Sequence, residues 1–288
     1  MTITNARPLV GLIGANIQRS RAPALFEDAC AAVGLRGHYH LMDLDLLPGR
    51  TAADLLAAAR TVGLSGFNVT YPCKEIVLPL LDEVSEEARQ IGAVNTVTIG
   101  KDGRTTGYNT DRIGFRRSLE ETFGREAVEG KTVLMVGAGG AGRAVAFALS
   151  DLGVRELLIH DNRTAQAEAV AEAITRHVGG GRARVVADPA AVLGSVAGVV
   201  NATPVGMTGI PGVPLDVATL GAIVWVADVI YSPLETELLK HARARGARTM
   251  GGAGMCVHQA AESFRLFTGR TADVERMRCT FVAAGGPS

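Results

Sequence analysis

Thr132-Val133-Leu134-Met135-Val136-Gly137-Ala138-Gly139-Gly140-Ala141-Gly142 runs from a short buried-strand pattern into a glycine-rich turn. A helical pattern over 141–152 follows it directly. Gly137, Gly139 and Gly142 therefore keep GxGxxG spacing inside a strand–turn–helix context. One glycine permits the tight turn, one lets backbone approach a pyrophosphate, and the third lets the helix pack close with its N-terminal N–H groups facing the anion. The turn made by Gly137, Ala138, Gly139, Gly140, Ala141 and Gly142 reads as a dinucleotide-binding site. A ligand-free turn of a doubly wound sheet is the competing reading.

The next strand pattern, 156–161, ends at Asp161, 24 residues after Gly137. A carboxylate there accepts hydrogen bonds from both adenosine-ribose hydroxyls and repels a 2′-phosphate, which favours NAD. Arg163, just beyond Asn162, is suited either to clamping that phosphate or to pairing with Asp161. NADP thus stays as the alternative.

Outward from this turn, strand-like and helical patterns alternate, as expected of an α/β protein with mainly parallel sheets. Upstream, strands are expected at 10–14, 38–43 and 66–69, and helices at 23–33, 52–62 and 112–123. The runs 93–99 and 105–107 flank Gly100-Lys101-Asp102-Gly103 as a hairpin. Downstream come a helix over 164–177, a break at Gly179-Gly180-Gly181, strands near Val185, Val199 and Val224, and a helical tail interrupted at Thr268-Gly269. The polar connection 124–130 is the first candidate domain boundary. A length of 288 residues suits about two domains.

Composition narrows the function classes. The 29 basic and 29 acidic residues cancel, and cutting at Gly130 leaves −2 before it and +2 after. Partners held by net charge, such as nucleic acid or a membrane surface, are therefore not expected. Apolar residues at 47% are enough for a sizeable core, and no uninterrupted apolar run is long enough to span a membrane. The start lacks the order of a signal peptide. Cys30, Cys73, Cys256 and Cys279 lie far apart without metal-ligand spacing, which reads as reduced thiols in a cytoplasmic protein with no metal. Among the basic residues only Lys74, Lys101, Lys131 and Lys240 are lysines; the other 25 are arginines.

One of those lysines stands in a setting with chemistry. Asn68-Val69-Thr70-Tyr71-Pro72-Cys73-Lys74 arranges amide, hydroxyl and ammonium groups around a proline-stiffened turn, suited to a polyhydroxylated ligand. Gly92-Ala93-Val94-Asn95-Thr96 and Gly107-Tyr108-Asn109-Thr110-Asp111 each put short polar groups at the end of a β-like run, where open α/β sheets place ligands. Taken singly, each has a bland account as turn former, helix cap or solvated surface. Taken together they are hard to explain that way.

With these motifs the chain resembles the shikimate/quinate dehydrogenases, from about Gly11 to Arg278. Asn201-Ala202-Thr203-Pro204-Val205-Gly206-Met207, Tyr231-Ser232-Pro233 and 252–259 extend the likeness. The resemblance implies two α/β domains with a cleft between them. The substrate domain would be residues 1–111 joined by the tail 253–288, and the Rossmann-type NAD(P) domain 112–252. It implies Lys74 and Asp111 as the catalytic pair, Asn68, Thr70, Asn95 and Gln259 on substrate hydroxyls, and Ser20 and Tyr231 at the carboxylate end. Asn201, Thr203, Met207, Val229 and Gly252 would line the nicotinamide side. The implied partner is a small cyclic hydroxy acid, oxidised or reduced by hydride transfer in a monomer or homodimer.

The chemistry agrees. Lys74 as ammonium can protonate the reacting oxygen during ketone reduction, and as amine can deprotonate it during alcohol oxidation. Arginine does neither usefully. A nearby Asp111 would favour the charged lysine, so it is better suited to orienting Lys74 and holding a hydroxyl.

Two departures qualify the resemblance. The family usually carries a second hydroxyl where Arg19-Ser20-Arg21-Ala22-Pro23 has Ala22. Losing one hydrogen bond to a charged group costs about 1.5–3 kcal/mol. Arg19 or Arg21 would compensate if either met the carboxylate; otherwise both face solvent. Asp161 departs from NADP-using members and fits the NAD-using branch. Rival readings are a non-catalytic metabolite sensor, a dehydrogenase for an amino analogue such as aminoshikimate, and a Schiff-base lyase. His258, beside Gln259, reads as a packed or surface histidine, and Trp225 as core.

Overall fold

The computed structural model describes residues 7–178, 183–215 and 225–285. The expected break at Gly179-Gly180-Gly181 and the strand expected near Val224 at its first residue lie outside them. The chain divides into two compact units: residues up to Thr110 together with those from Gln259 on, and Asp111–His258. Residues 253–258 thus group with the second unit, and Asp111 opens it.

In the first unit the strands are β1 (Leu9–Gly14), β2 (His38–Asp43), β3 (Gly66–Val69), β4 (Glu83–Val84), β5 (Thr96–Ile99) and β6 (Thr105–Tyr108). They form one sheet in the order β2-β1-β3-β5-β6-β4. β1 pairs in parallel with β2 and β3, whereas β5 is antiparallel to β3 and β6. The helices are α1 (Ala22–Ala32), α2 (Ala52–Val62), α3 (Cys73–Ile76) and α4 (Glu86–Ile91). α2 starts where Thr51 and Asp54 close a reciprocal capping box, and it stops at Gly63, whose φ of 77° suits a residue without a Cβ. Its buried Leu55, Leu56 and Ala59 pack with Ile13, Phe67 and Val97 of the sheet.

The second unit contains α5 (Asp111–Phe123), β7 (Thr132–Val136), α6 (Gly140–Asp151), β8 (Glu156–His160) and α7 (Thr164–Val178), then β9 (Ala183–Val185), β10 (Gly198–Asn201), β11 (Trp225–Asp228), α8 (Glu237–Ala244) and β12 (Arg248–Met250). Its sheet is wholly parallel in the order β12-β11-β10-β7-β8-β9. The chain winds outward from β7 through β8 and β9, then returns to β10 on β7's other side. The C-terminal ends of β7 and β10 are therefore the topological switch point at which such sheets bind ligands. Every residue of β7 and β10 is buried, as expected of strands covered on both faces. α9 (Ala253–Thr268) runs from the second unit into the first, and α10 (Val274–Ala283) packs on α1.

Several element boundaries differ from expectation for local reasons. β5 begins at Thr96 rather than residue 93, because the Ala93 carbonyl serves the Asn109 side chain and the Val94 N–H serves the Lys74 carbonyl. β8 ends before Asp161, whose carboxylate turns back on the loop. Among the described residues no helix is long and apolar enough to cross a membrane, and no group of three or more metal-ligating side chains occurs.

Packing under β10 is tight enough to test. Trp225 is fully buried, and its indole N–H donates to the Ala127 carbonyl at 3.0 Å. A Cβ at Gly198 would stand 2.0 Å from that indole, whereas a Cβ at Gly194 would meet nothing. Gly198→Ala is expected to destabilise by about 2 kcal/mol or more in urea melts, as overpacking does. Gly194→Ala should change stability by less than about 0.5 kcal/mol.

Candidate functional site

Within the first unit, six of the expected residues lie at or beside the sheet. Ser20 follows β1 and its hydroxyl accepts the Ala22 N–H at 3.2 Å. The loop before Ser20 is held by Asp43 at the end of β2. The Asp43 carboxylate accepts the N–H groups of Asn16, Ile17 and Asp45 and the Gln18 amide at 2.9–3.2 Å. Thr70 and Lys74 follow β3. The Thr70 N–H bonds the Ile13 carbonyl and its own carbonyl accepts from Cys73, which starts the short α3 carrying the partly buried Lys74.

Asn68 and Asn95 are joined by a buried hydroxyl cluster that sequence reasoning did not identify, and Asn95 in turn reaches Gln259. The Asn95 Oδ1 accepts from the Thr110 N–H at 2.8 Å and from the Thr96 hydroxyl at 3.0 Å, and its Nδ2 reaches Gln259 Oε1 at 3.3 Å. The Tyr39 phenol donates to Asn68 Oδ1 at 2.9 Å. The Asn68 Nδ2 lies 2.9 Å from the Thr96 hydroxyl, 3.1 Å from that of Ser263 and 3.1 Å from the Asn95 carbonyl. Two hydrogens facing three acceptors leave Asn68 already committed inside the protein. Ser263 lies four residues after Gln259 on α9, and hence on the same helical face.

The Arg21 side chain is turned to Phe281. Its guanidinium donates to the Phe281 carbonyl at 3.1 Å and lies 4.4 Å over the Phe281 ring, tying α1 to α10. Arg19 is exposed. Arg21 is thus engaged by α10.

In the second unit the candidates gather at the C-terminal ends of β7, β8, β10 and β11. Gly137 has φ 100°, and a Cβ there would stand 2.7 Å from Ala202; a Cβ on Gly142 would stand 2.2 Å from the Gly137 carbonyl oxygen. Packing therefore requires both glycines. Gly139 and Gly140 are different: a Cβ on either would meet nothing within 4 Å, and neither has positive φ. Open space before the N-terminus of α6 is what an incoming pyrophosphate needs, so the turn fits a dinucleotide. Arg143, in the first turn of α6, has a buried Nε with no hydrogen-bond partner, which suits an anion nearby.

The remaining members surround that turn. Asp161 accepts the Ala138 N–H at 2.7 Å and the Arg163 N–H at 2.8 Å. The Arg163 side chain stays 72% exposed, 4.0 Å from the carboxylate, so no tight pair forms; Asn162 is exposed beside it. Asn201 accepts from the Thr203 N–H and hydroxyl at 3.0 and 2.7 Å. Met207 and Tyr231 are about 40% exposed. Gly252 passes so close to Val229 that a Cβ would stand 2.1 Å from the Val229 oxygen. Asp111 is buried at the first position of α5, and the next residue, Arg112, binds Asp151 through two nitrogens at 2.7 and 2.5 Å. His258 is buried, with Nε2 at 2.9 Å from Glu121.

Fold and site define a two-unit α/β oxidoreductase with a dinucleotide turn, and comparison with known proteins makes the class specific. The family model described as "Shikimate dehydrogenase substrate binding domain" matches residues 12–97, and "Shikimate 5'-dehydrogenase C-terminal domain" matches 252–278. A Quinate/shikimate dehydrogenase (NAD(+)) of Corynebacterium efficiens is 50% identical over 96% of this chain and 98% of its own. A Shikimate dehydrogenase (NADP(+)) of Streptomyces avermitilis is 44% identical over 96% of each. Among solved structures, quinate dehydrogenase from Corynebacterium glutamicum in complex with NAD superposes with a TM-score of 0.91 at 46% identity, covering 97% of this chain and all of the other. The chain belongs to the shikimate/quinate dehydrogenase family.

The Asp43 loop carries a pH signature. The Gln18 amide is the strongest influence holding the Asp43 carboxyl below the usual carboxylate range; the backbone N–H groups add to it against partial desolvation. A carboxyl depressed in the folded state contributes stability that is fully present above its unfolded value near 3.9. That contribution is lost as pH falls through the folded value. Asp43→Asn should therefore be less stable than wild type at pH 6, with the gap narrowing below about pH 4 in chemical denaturation series.

Proposed function

We propose that this chain interconverts a ring hydroxyl and ketone of quinate or shikimate, with NAD as its preferred hydride carrier. When bound, NAD would supply the hydride chemistry at the carbinol carbon. The observation that carries the NAD preference is Asp161, a carboxylate set against the Ala138 N–H beside the pyrophosphate turn. The Corynebacterium relatives, whose names specify NAD, support the same reading.

The chain's own residues supply the rest. Lys74 takes the hydroxyl proton as an amine during oxidation and returns it as an ammonium during reduction. Asp111 is its acidic partner, and orients rather than deprotonates. Asn95, Thr70 and Gln259 hold ring hydroxyls, with Asn68 committed largely to the hydroxyl cluster behind them. Ser20 and Tyr231 meet the carboxylate end, where Ala22 leaves one fewer donor. The glycine turn 137–142 takes the pyrophosphate, Asp161, Asn162 and Arg163 the adenosine side, and Asn201, Thr203, Met207, Val229 and Gly252 the nicotinamide side. All these groups are carried by one chain, whether the protein is a monomer or a homodimer. Four cysteines, none of them in a disulfide among the described residues, fit a reducing, cytoplasmic location.

Formation of NADH, followed by absorbance with shikimate or quinate as substrate, is the direct test. Turnover is expected with NAD, and Lys74→Ala should lower kcat by at least about 10²-fold, the lower range for a general acid–base group. Binding without turnover in calorimetry would replace this reading with a sensor. Asp161→Ala should narrow the ratio of kcat/KM for NAD over NADP by at least tenfold, and an unchanged ratio would remove Asp161 as the ribose reader.

A further inference from the structure

Asp228 ends β11 with none of its surface exposed, and among the described residues no lysine or arginine pairs with it. Burial pushes its carboxyl upward, against three hydrogen bonds that favour the charged form. Oδ1 accepts from Asn201 Nδ2 at 3.1 Å and from the Ile230 N–H at 3.0 Å, while Oδ2 accepts from the Thr236 hydroxyl at 2.8 Å. An unpaired carboxylate is an unfavourable group to bury, and an apolar residue would continue the strand more cheaply. What it provides can be read from Asn201.

An asparagine amide can be turned either way, and its partners decide which. An ionised carboxylate only accepts, so Asp228 admits only the Nδ2 end of Asn201. The Asn201 oxygen is then fixed toward Thr203, where it receives both the N–H and the hydroxyl. The Thr203 hydroxyl in turn accepts from the Val205 N–H at 3.2 Å. The buried carboxylate, together with the Val205 carbonyl that accepts from the same Nδ2 at 3.3 Å, thus sets the direction of a chain of bonds that shapes residues 201–207 next to the switch point.

We infer that Asp228 is a positioning residue for the dinucleotide: it fixes the Asn201 amide and thereby the loop that lines the nicotinamide side. This rests on the functional reading above for the role of residues 201–207. Asparagine at 228 keeps the acceptor that both Asn201 and Ile230 need, and the Thr236 hydroxyl can rotate to accept from its new amide. Alanine keeps none of these bonds.

The test measures KM for NAD and for quinate or shikimate, together with NADH affinity by fluorescence titration. Asp228→Ala is expected to weaken NADH binding and raise KM for NAD at least tenfold, while KM for the ring substrate stays within twofold. Asp228→Asn should remain within threefold of wild type on both. A merely structural role would lower the melting temperature without separating the two KM values. The inference fails if Asp228→Ala leaves KM for NAD within twofold, shifts both KM values equally, or is matched by Asp228→Asn. Should Asp228→Ala not fold, Asp228→Ser is read by hydrogen exchange. Faster exchange at Thr203 and Val205, with β7 unchanged, supports the inference, and unchanged exchange overturns it. A wild-type chain that binds neither NADH nor NADPH would overturn the functional reading and this inference together. Wild-type binding with an unaffected Asp228→Ala overturns this inference alone.

Discussion

Where a parallel strand ends and its loop begins, backbone N–H groups lose their ladder partners and must find acceptors elsewhere. In this protein aspartates at the strand ends supply them. Asp43 at the end of β2 receives three loop N–H groups, Asp161 after β8 receives two, and Asp228 at the end of β11 receives one together with two side-chain donors. Each carboxylate holds a loop that bears candidate binding residues: the approach to Ser20, the glycine turn, and residues 201–207. Hydrogen bonds to charged acceptors are stronger than neutral ones, so loops without regular structure are given defined shapes. The rest of the architecture delivers these aspartates to the C-terminal edges of two sheets.

The two units solve the problem of gripping a ligand differently. In the second unit the proposed ligand surface is mainly backbone. Gly137 and Gly142 are glycines because the protein itself leaves no room, whereas Gly139 and Gly140 keep space open beyond it. In the first unit the surface is mainly side chain, and precision comes from the cluster behind it. Thr96, Thr110 and Ser263 are buried hydroxyls that bond to one another and to Asn68 and Asn95. Such a group is stable only when nearly every donor finds an acceptor, which makes it a strict template for amide orientation.

Legibility in the sequence followed the range of the interactions involved. The turn 137–142, β3 and the helix 52–62 could be read because period, caps and glycine spacing are local signals. Asp161 could be read because its distance from the turn is fixed by one β–α–β unit. The hydroxyl cluster could not, since Asn68 meets Ser263 across 195 positions and nothing near either residue points to the other. A usable signal existed for two of the aspartates. An acidic residue closing an apolar strand, as in Leu41-Met42-Asp43 and Val226-Ala227-Asp228, is an invitation to ask which N–H groups it serves. The partner of Arg21 was hidden for another reason: it belongs to α10, which docks on α1 only in the folded chain.

The scarcity of lysine has a spectroscopic side. A chain with four side-chain ammonium groups offers four sites to amine-directed isotope labels, apart from the terminus. Lys101 lies in an exposed turn, Lys131 is exposed at the start of β7's approach, and Lys240 is held by Glu237 at 2.8 Å on the surface of α8. Lys74 alone among them is partly buried. Reductive methylation with a carbon-13 label would reduce the protein's complex spectrum to a handful of resonances. One of these would report from the turn after β3, giving a built-in probe of protonation there without any engineered residue.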